Sequence, residues 1–403
     1  MKPSIIWKWR DRLRRFADRL RRNASAAALA LLAAAPLTAK ADSDFSGASQ
    51  SGAGKLLRAE PLFGAPEGAA AYKIYYQSTG MHGEPVTVSG MVIVPPGPPP
   101  QGPRPVVAWA HPTTGVVPRC APSLARKRFQ MIAGLRLMLA RGYVVAATDY
   151  PGLGTPETHP YLVGDSEGHA VIDSVRAARQ IPGADAGSRY VVWGHSQGGQ
   201  ASLFTGLLSQ SYAPDLQLLG VAAAAPATEL QTLMDADIDT SGGRNLTAMT
   251  LWSWERVYHA PSDAVLDPSA IPVVNRLASE CIESIFDILE RRQTQKPLAR
   301  AFLKSDHFAS TEPWASLMRE NTPGVLPPQI PVFVAQGMTD NLVLPRVTRD
   351  YVRRLCANGS AVFFDPVPKT GHGFIAFKAS DAAVAWIADR FAGRRAPSNC
   401  GAV

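Results

Sequence analysis

Arg189-Tyr190-Val191-Val192-Trp193-Gly194-His195-Ser196-Gln197-Gly198-Gly199, continuing through Gln200 to Leu208, decides the reading of this 403-residue chain. Tyr190 to Trp193 is a short apolar run rich in β-formers. Gln200 to Leu208 places Leu203, Phe204, Leu207 and Leu208 together at helical spacing. The stretch therefore reads as strand, tight turn, helix. With 33 glycines in the chain, G-x-S-x-G by itself would arise by chance in roughly one chain in five. Set between a strand and a helix it is a nucleophile elbow. The turn exposes Ser196, the glycines let strand and helix approach, and the helix N-terminus presents N–H groups to developing negative charge.

Working outward, further apolar runs flank the elbow. Ala71 to Ser78, Pro85 to Val94, Val106 to Ala110 and Tyr143 to Ala147 precede it. Leu218 to Ala225, Ile330 to Ala335 and Ala361 to Phe364 follow. A Pro-rich loop is expected over 95–105, and a Ser/Gly/Ala-rich tail over 42–57. Helical patterns at Ala125 to Leu139 and Glu167 to Gln180 alternate with the strands, the second placing Val171, Val175 and Ala178 on one face. This alternation predicts an α/β fold of the α/β-hydrolase kind, a mostly parallel central sheet with helices on both faces. From 229 to 324 the alternation stops, which is a long gap for such a fold. Its segments Leu246 to Tyr258, Val274 to Arg292 and Pro297 to Leu303 look helical. We therefore expect a core of 42–228 and 325–403 with a helical cap or lid inserted at 229–324. Trp252, Trp254 and Tyr258 in the cap have two readings. They pack the cap onto the body, which is the simpler one, or they line a substrate pocket for the acyl chain.

A serine hydroxyl needs a base to take its proton, and in this fold the order along the chain is Ser, Asp or Glu, then His. His372, in Thr370-Gly371-His372-Gly373 after a strand run, is the only His beyond Asp340. Asp340 stands just past the run Ile330 to Ala335, where a carboxylate can orient the imidazole. Asp365 and Asp350 are weaker alternatives. The side chain of His195, beside the nucleophile, should point away from it. One oxyanion-hole donor is expected to be the amide of Gln197. The other belongs to the loop His111-Pro112-Thr113-Thr114-Gly115; Pro112 has no N–H, so Thr113 or Thr114 supplies it.

The formal charge of +8 resides in the leader. Residues 1–41 carry ten Lys and Arg against two Asp, leaving 31 of each sign in the remainder. That balance gives no electrostatic case for a nucleic-acid partner. The leader, with a basic stretch from Lys2 to Arg22, an apolar run from Ala26 to Ala35 and Ala39-Lys40-Ala41, reads as a cleaved signal peptide. The apolar run is too short for a stable membrane span. Cys120, Cys281, Cys356 and Cys400 suit an exported protein with two disulfide bonds, and four cysteines permit three pairings. No metal-binding, phosphate-loop or dinucleotide motif is found, so no metal or cofactor is expected.

The motifs together resemble those of the secretory lipase family within the α/β-hydrolase superfamily. The resemblance spans roughly Tyr72 to Arg390. It is carried by Asp149-Tyr150-Pro151-Gly152-Leu153-Gly154-Thr155, His159-Pro160-Tyr161, Cys120-Ala121-Pro122-Ser123, the elbow, Asn321-Thr322-Pro323-Gly324 and Gln336-Gly337 with Asp340. It implies a secreted carboxylic ester hydrolase, a triacylglycerol lipase working through a Ser-His-Asp triad and an acyl-enzyme, with bridges Cys120–Cys281 and Cys356–Cys400. Its substrate would be a lipid or small ester, met in transient contact with a lipid–water interface. A short-chain carboxylesterase is the alternative, and behind it a serine peptidase or an inactive lipid-binding α/β-hydrolase.

Overall fold

The structure, a computed structural model, describes residues 52–66, 68–99, 102–305 and 307–403. The leader reading at 1–41 and residues 42–51 of the expected tail lie outside the described residues. Nine strands form one sheet in the order β1-β2-β3-β5-β4-β6-β7-β8-β9. These are β1 (Leu56–Pro61), β2 (Ala70–Thr79), β3 (Pro85–Val94), β4 (Arg104–Ala110), β5 (Val144–Thr148), β6 (Ala186–His195), β7 (Gln217–Ala224), β8 (Val332–Gly337) and β9 (Val362–Val367). From β5 through β9 neighbouring strands run parallel, and β1, β2 and β3 add an antiparallel edge.

The strands are apolar on both faces because both faces are covered. Val107, Trp109, Val145, Val191 and Trp193 point to one side. Their sequence neighbours Val106, Ala108, Val144, Tyr190 and Val192 point to the other. Helices α1 (Leu135–Ala140) and α10 (Ser380–Phe391) pack on the first face; α2 (Gly164–Ala178), α3 (Gln197–Tyr212) and α9 (Pro345–Ala357) pack on the second. The chain leaves β4 toward β5 on one side and passes from β6 toward β7 on the other, so the strand order reverses at β4 and β6. In a parallel sheet the carboxyl ends of such a pair open a crevice. Ser196 stands there, immediately after β6.

Between β7 and β8 lie α4 (Leu230–Asp237), α5 (Ser241–Val257), α6 (Ile271–Ser279), α7 (Ile285–Thr294) and α8 (Trp314–Glu320). The only β pairing here among the described residues is the isolated bridge Leu266–Leu303. Apolar side chains of these helices, including Leu233, Leu251, Trp254 and Leu277, are continuous with the first face of the sheet.

Several local expectations need correction. Leu56 and Leu57, placed in the tail, belong to β1, which pairs with β2. Ala125 to Leu139 is not one helix. A 3-10 turn at Arg128–Met131 is followed by extended Ile132 and left-handed Gly134 (φ 79°), which restarts the chain as the short α1. Val274 to Arg292 is split between α6 and α7, because Cys281 turns back to reach Cys120. Ser284 then restarts the helix with a reciprocal cap, its hydroxyl accepting from the Asp287 amide. Pro297 to Leu303 gives only a 3-10 turn, Lys296–Ala299, before the chain extends to bridge Leu266.

The sulfurs pair as Cys120–Cys281 and Cys356–Cys400. The first ties the loop after β4 to the segment between α6 and α7, where the Ile282 amide also donates to the Thr114 carbonyl at 2.8 Å. Closing so long a loop restricts the unfolded chain. Replacing both Cys120 and Cys281 by Ser is expected to lower unfolding free energy by about 2–4 kcal/mol, read from urea denaturation; an unchanged midpoint would show that the bridge is energetically idle.

Candidate active site

Ser196 has φ 57° and ψ −117°, a backbone region that side chains rarely adopt. Steric necessity puts it there. A Cβ on Gly194 would stand 2.1 Å from the Gly198 carbonyl oxygen, and a Cβ on Gly198 would stand 1.9 Å from that of Ala110. Only bare backbone lets β6, the turn and the start of α3 come so close to the end of β4. The Ser196 amide donates to the Ala224 carbonyl at 2.9 Å, which secures the turn to β7.

The side chain so presented meets His372. The Ser196 hydroxyl donates to His372 Nε2 at 2.8 Å, and His372 Nδ1–H donates to Asp340 Oδ2 at 2.8 Å. This is the neutral tautomer the two partners select. The other Asp340 oxygen accepts the amides of Leu342 and Val343, each at 2.9 Å. Burial opposes ionisation of this carboxyl, but the imidazole and the two amides outweigh it and hold Asp340 below the usual carboxylate range. Asp365 lies within β9, opposite Ala335, and Asp350 is an exposed partner of Arg353. Neither hydrogen-bonds His372.

The ring of His195 lies beside that of His372, their centroids 5.0 Å apart, a placement with a use that the motif did not reveal. Burial pushes its imidazole down to about 3, so it is neutral. Nε2–H donates to the backbone carbonyl of His372 at 3.0 Å. The residue before Ser196 thus holds the loop that carries His372.

Below Gln197 lies a buried polar cluster that sequence reasoning missed. Gln197 Nε2 donates to Glu167 Oε1 at 2.7 Å and to His159 Nε2 at 3.1 Å. His159 Nδ1–H donates to the Pro151 carbonyl at 2.8 Å, and burial pushes the ring down to about 3. Glu167 also accepts the Leu162 amide at 2.9 Å, and burial pushes its carboxyl up to about 8. Both acid and base are neutral at pH 7 and grip the Gln197 side chain between them. His159 and Glu167 lie 37 and 29 residues before Ser196, too far for a local pattern to join them. Asp149 is a turn anchor of a similar kind, accepting from Ser89 and from the amide and hydroxyl of Ser123.

In the loop after β4, the Thr113 hydroxyl shares a hydrogen bond with the Tyr161 hydroxyl at 2.9 Å. Thr114 is buried and its carbonyl accepts from Ile282. The cavity at Ser196 is small, about 40 Å³, and is lined mainly by apolar groups, among them Leu162, Leu233, Met234, Leu246 and Val343. Trp252, Trp254 and Tyr258 are absent from this lining, which corrects their placement in a substrate pocket. Trp254 is fully buried, donates from Nε1 to the Tyr161 carbonyl and stacks on Trp314. Tyr258 accepts from Asn321, and Trp252 lies under the Arg256 guanidinium. Helix α5 turns Leu246 and Thr247 toward the cavity instead.

The buried Glu167 generates a pH test. An acid with a raised folded-state value keeps a proton that the unfolded chain releases. The fold therefore loses stability as pH rises from about 4.5 to about 8, and no further above that. Glu167→Gln removes this penalty. Its unfolding free energy relative to the parent, read from urea denaturation, is expected to climb across that window by at most about 1.4 kcal/mol per pH unit, and then level off. A difference independent of pH would contradict the neutral buried acid.

Comparison with known proteins places these features in a family. The secretory lipase model matches residues 128–399. The chain is 28% identical over 309 residues to Lipase 5 of Candida albicans, an alignment covering 70% of this chain and 64% of that protein. The chain thus spans just under two thirds of that relative's length. It is 24% identical over 350 residues, 82% of this chain and 75% of the other, to the "Probable inactive lipase MT1628" of Mycobacterium tuberculosis. Among solved structures, Candida antarctica lipase A in its closed state superposes with a TM-score of 0.74 at 18% identity, covering 87% of this chain and 85% of that one. That likeness establishes the shared fold. On the family match over two thirds of its length, the chain belongs to the secretory lipase family.

Proposed function

We propose that the chain is an exported carboxylic ester hydrolase that cleaves acylglycerols through a covalent acyl-enzyme. The observation that carries this reading is the unbroken hydrogen-bonded chain from Ser196 through His372 to Asp340. Ser196 Oγ attacks the ester carbonyl as Nε2 of His372 takes its proton, and Asp340 stabilises the resulting imidazolium. The oxyanion is received by the amides of Gln197 and Thr113. Thr113 is favoured over Thr114 because its hydroxyl meets that of Tyr161 on the cavity wall, whereas the Thr114 carbonyl is turned to Ile282. His372 then protonates the leaving alcohol, and water repeats the sequence to release the acid.

Residues 229–324 act as the cap over this site, a role supported by Leu230, Leu233, Met234, Leu246 and Thr247 lining the cavity. Phe374 and Phe377, exposed just beyond His372, offer apolar contact to a lipid–water interface. Two disulfides and the leader pattern favour an extracellular or periplasmic location; among the described residues no helix is long and apolar enough to cross a membrane. A short-chain carboxylesterase is the second reading, favoured by the limited space at Ser196.

Ser196→Ala is expected to lower p-nitrophenyl ester turnover by at least about 10³-fold while leaving the melting temperature intact. Undiminished turnover would remove Ser196 as nucleophile. A profile across triglycerides and p-nitrophenyl esters of increasing acyl length separates the two readings, since the lipase assignment requires long-chain triglyceride hydrolysis. A fluorophosphonate that failed to label Ser196 would instead point to an inactive relative.

A further inference from the structure

The wall of the Ser196 cavity contains one acidic side chain that the triad does not use. Asp237, the last residue of α4, lies in that lining among Leu233, Met234, Leu246, Leu342 and Val343. It is only 4% exposed. Its backbone carbonyl accepts from the amide and hydroxyl of Thr240, but no donor among the described residues hydrogen-bonds its carboxyl oxygens. Those oxygens are not fully sealed within protein, and the residue lines the cavity. Burial, with the nearby charge of Asp340, pushes the carboxyl up to about 7. The negative end of α4 adds to that resistance. A buried carboxyl with no protein donor, opening onto a reaction cavity, has its missing partner on the substrate side.

Chemistry fixes which half of the substrate that is. His372 must pass its proton to the leaving alcohol, so the alcohol half lies beside His372. Asp237 shares the cavity wall with Leu342 and Val343, whose amides hold Asp340, the partner of His372, so it stands on that same side. Resting on the reading of Ser196 as nucleophile, we infer that the Asp237 carboxyl accepts a hydroxyl of the alcohol moiety, so that the site selects esters of polyols over esters of simple alkanols. Glycerol in a partial acylglycerol and the sugar of a sugar ester both offer such a hydroxyl.

The test compares kcat/KM for glyceryl monobutyrate, glucose monobutyrate and propyl butyrate, which share one acyl group. The proteins are the parent, Asp237→Asn and Asp237→Leu, at pH 8. The parent is expected to favour at least one polyol ester over propyl butyrate by about tenfold or more, and which one identifies the polyol. Asp237→Leu should bring that ratio close to one, and Asp237→Asn, with a weaker neutral acceptor, should lower it severalfold. Fluorophosphonate labelling of Ser196 reports that each variant is folded. If Asp237→Leu does not label, the ratio in Asp237→Asn decides. A ratio that stays the same in the variants overturns the inference. So does an equal loss on all three esters, which would mean that Asp237 acts only through His372. If the parent neither labels nor cleaves any of the three, the nucleophile reading fails first and this inference falls with it.

Discussion

Everything at the site depends on how closely two pieces of bare backbone can pass. The end of β6, the first turn of α3 and the end of β4 meet at distances that leave no room for a Cβ at 194 or 198. That contact forces Ser196 into its left-handed conformation and lifts its hydroxyl clear of the sheet. The cost of the conformation is absorbed by neighbours that are themselves immobile. The Ser196 carbonyl accepts from Gln200 as α3 begins, and its amide is held by β7. Placed this way, the Ser196 hydroxyl meets His372 without rearrangement.

Beneath it, polarity is arranged so that little charge accumulates. His195, His159 and Glu167 are all ionisable types, yet burial keeps each neutral at pH 7. An anionic Glu167 beside Gln197 would place an uncompensated negative charge next to Ser196. A neutral acid gives the same orientation without that penalty. The carboxylate that is held ionised, Asp340, lies on the far side of the imidazole, where its charge favours proton transfer.

The sheet was legible because strands buried on both faces are written as uninterrupted apolar runs, and every run named from Ala71 onward became a strand. The strand at Leu56–Pro61 was not, since an exposed edge strand such as this has no such run. Ser196, Asp340 and His372 were legible for a different reason: turn chemistry after a strand marks a position, and chain order restricts the choice. Between β7 and β8 the chain is helical, but where each helix starts and stops was not legible. Cys281, left-handed Gly134 and the Leu266–Leu303 bridge impose tertiary breaks on segments that are locally helix-like. The aromatic rings of Trp252, Trp254 and Tyr258, at and just beyond the end of α5, are used up against Arg256, Trp314, Tyr161 and Asn321. Asp237 had no signal at all, because a single Asp near a helix end is ordinarily a surface residue.

The Cys120–Cys281 bond also draws a covalent boundary through the molecule. It closes a ring that contains β5, β6, Ser196, β7 and the first helices of the insertion, while Asp340 and His372 lie outside it. Cys356–Cys400 makes a separate ring at the other end. A single peptide cleavage anywhere from 121 to 280 would leave one linked molecule. A cleavage between 282 and 339 would leave two pieces with no covalent link, one bearing Ser196 and the other bearing Asp340 and His372. What would then hold the two together is the parallel pairing of β7 with β8 and the packing around it, so this fold carries a natural seam along which a split enzyme could be reassembled.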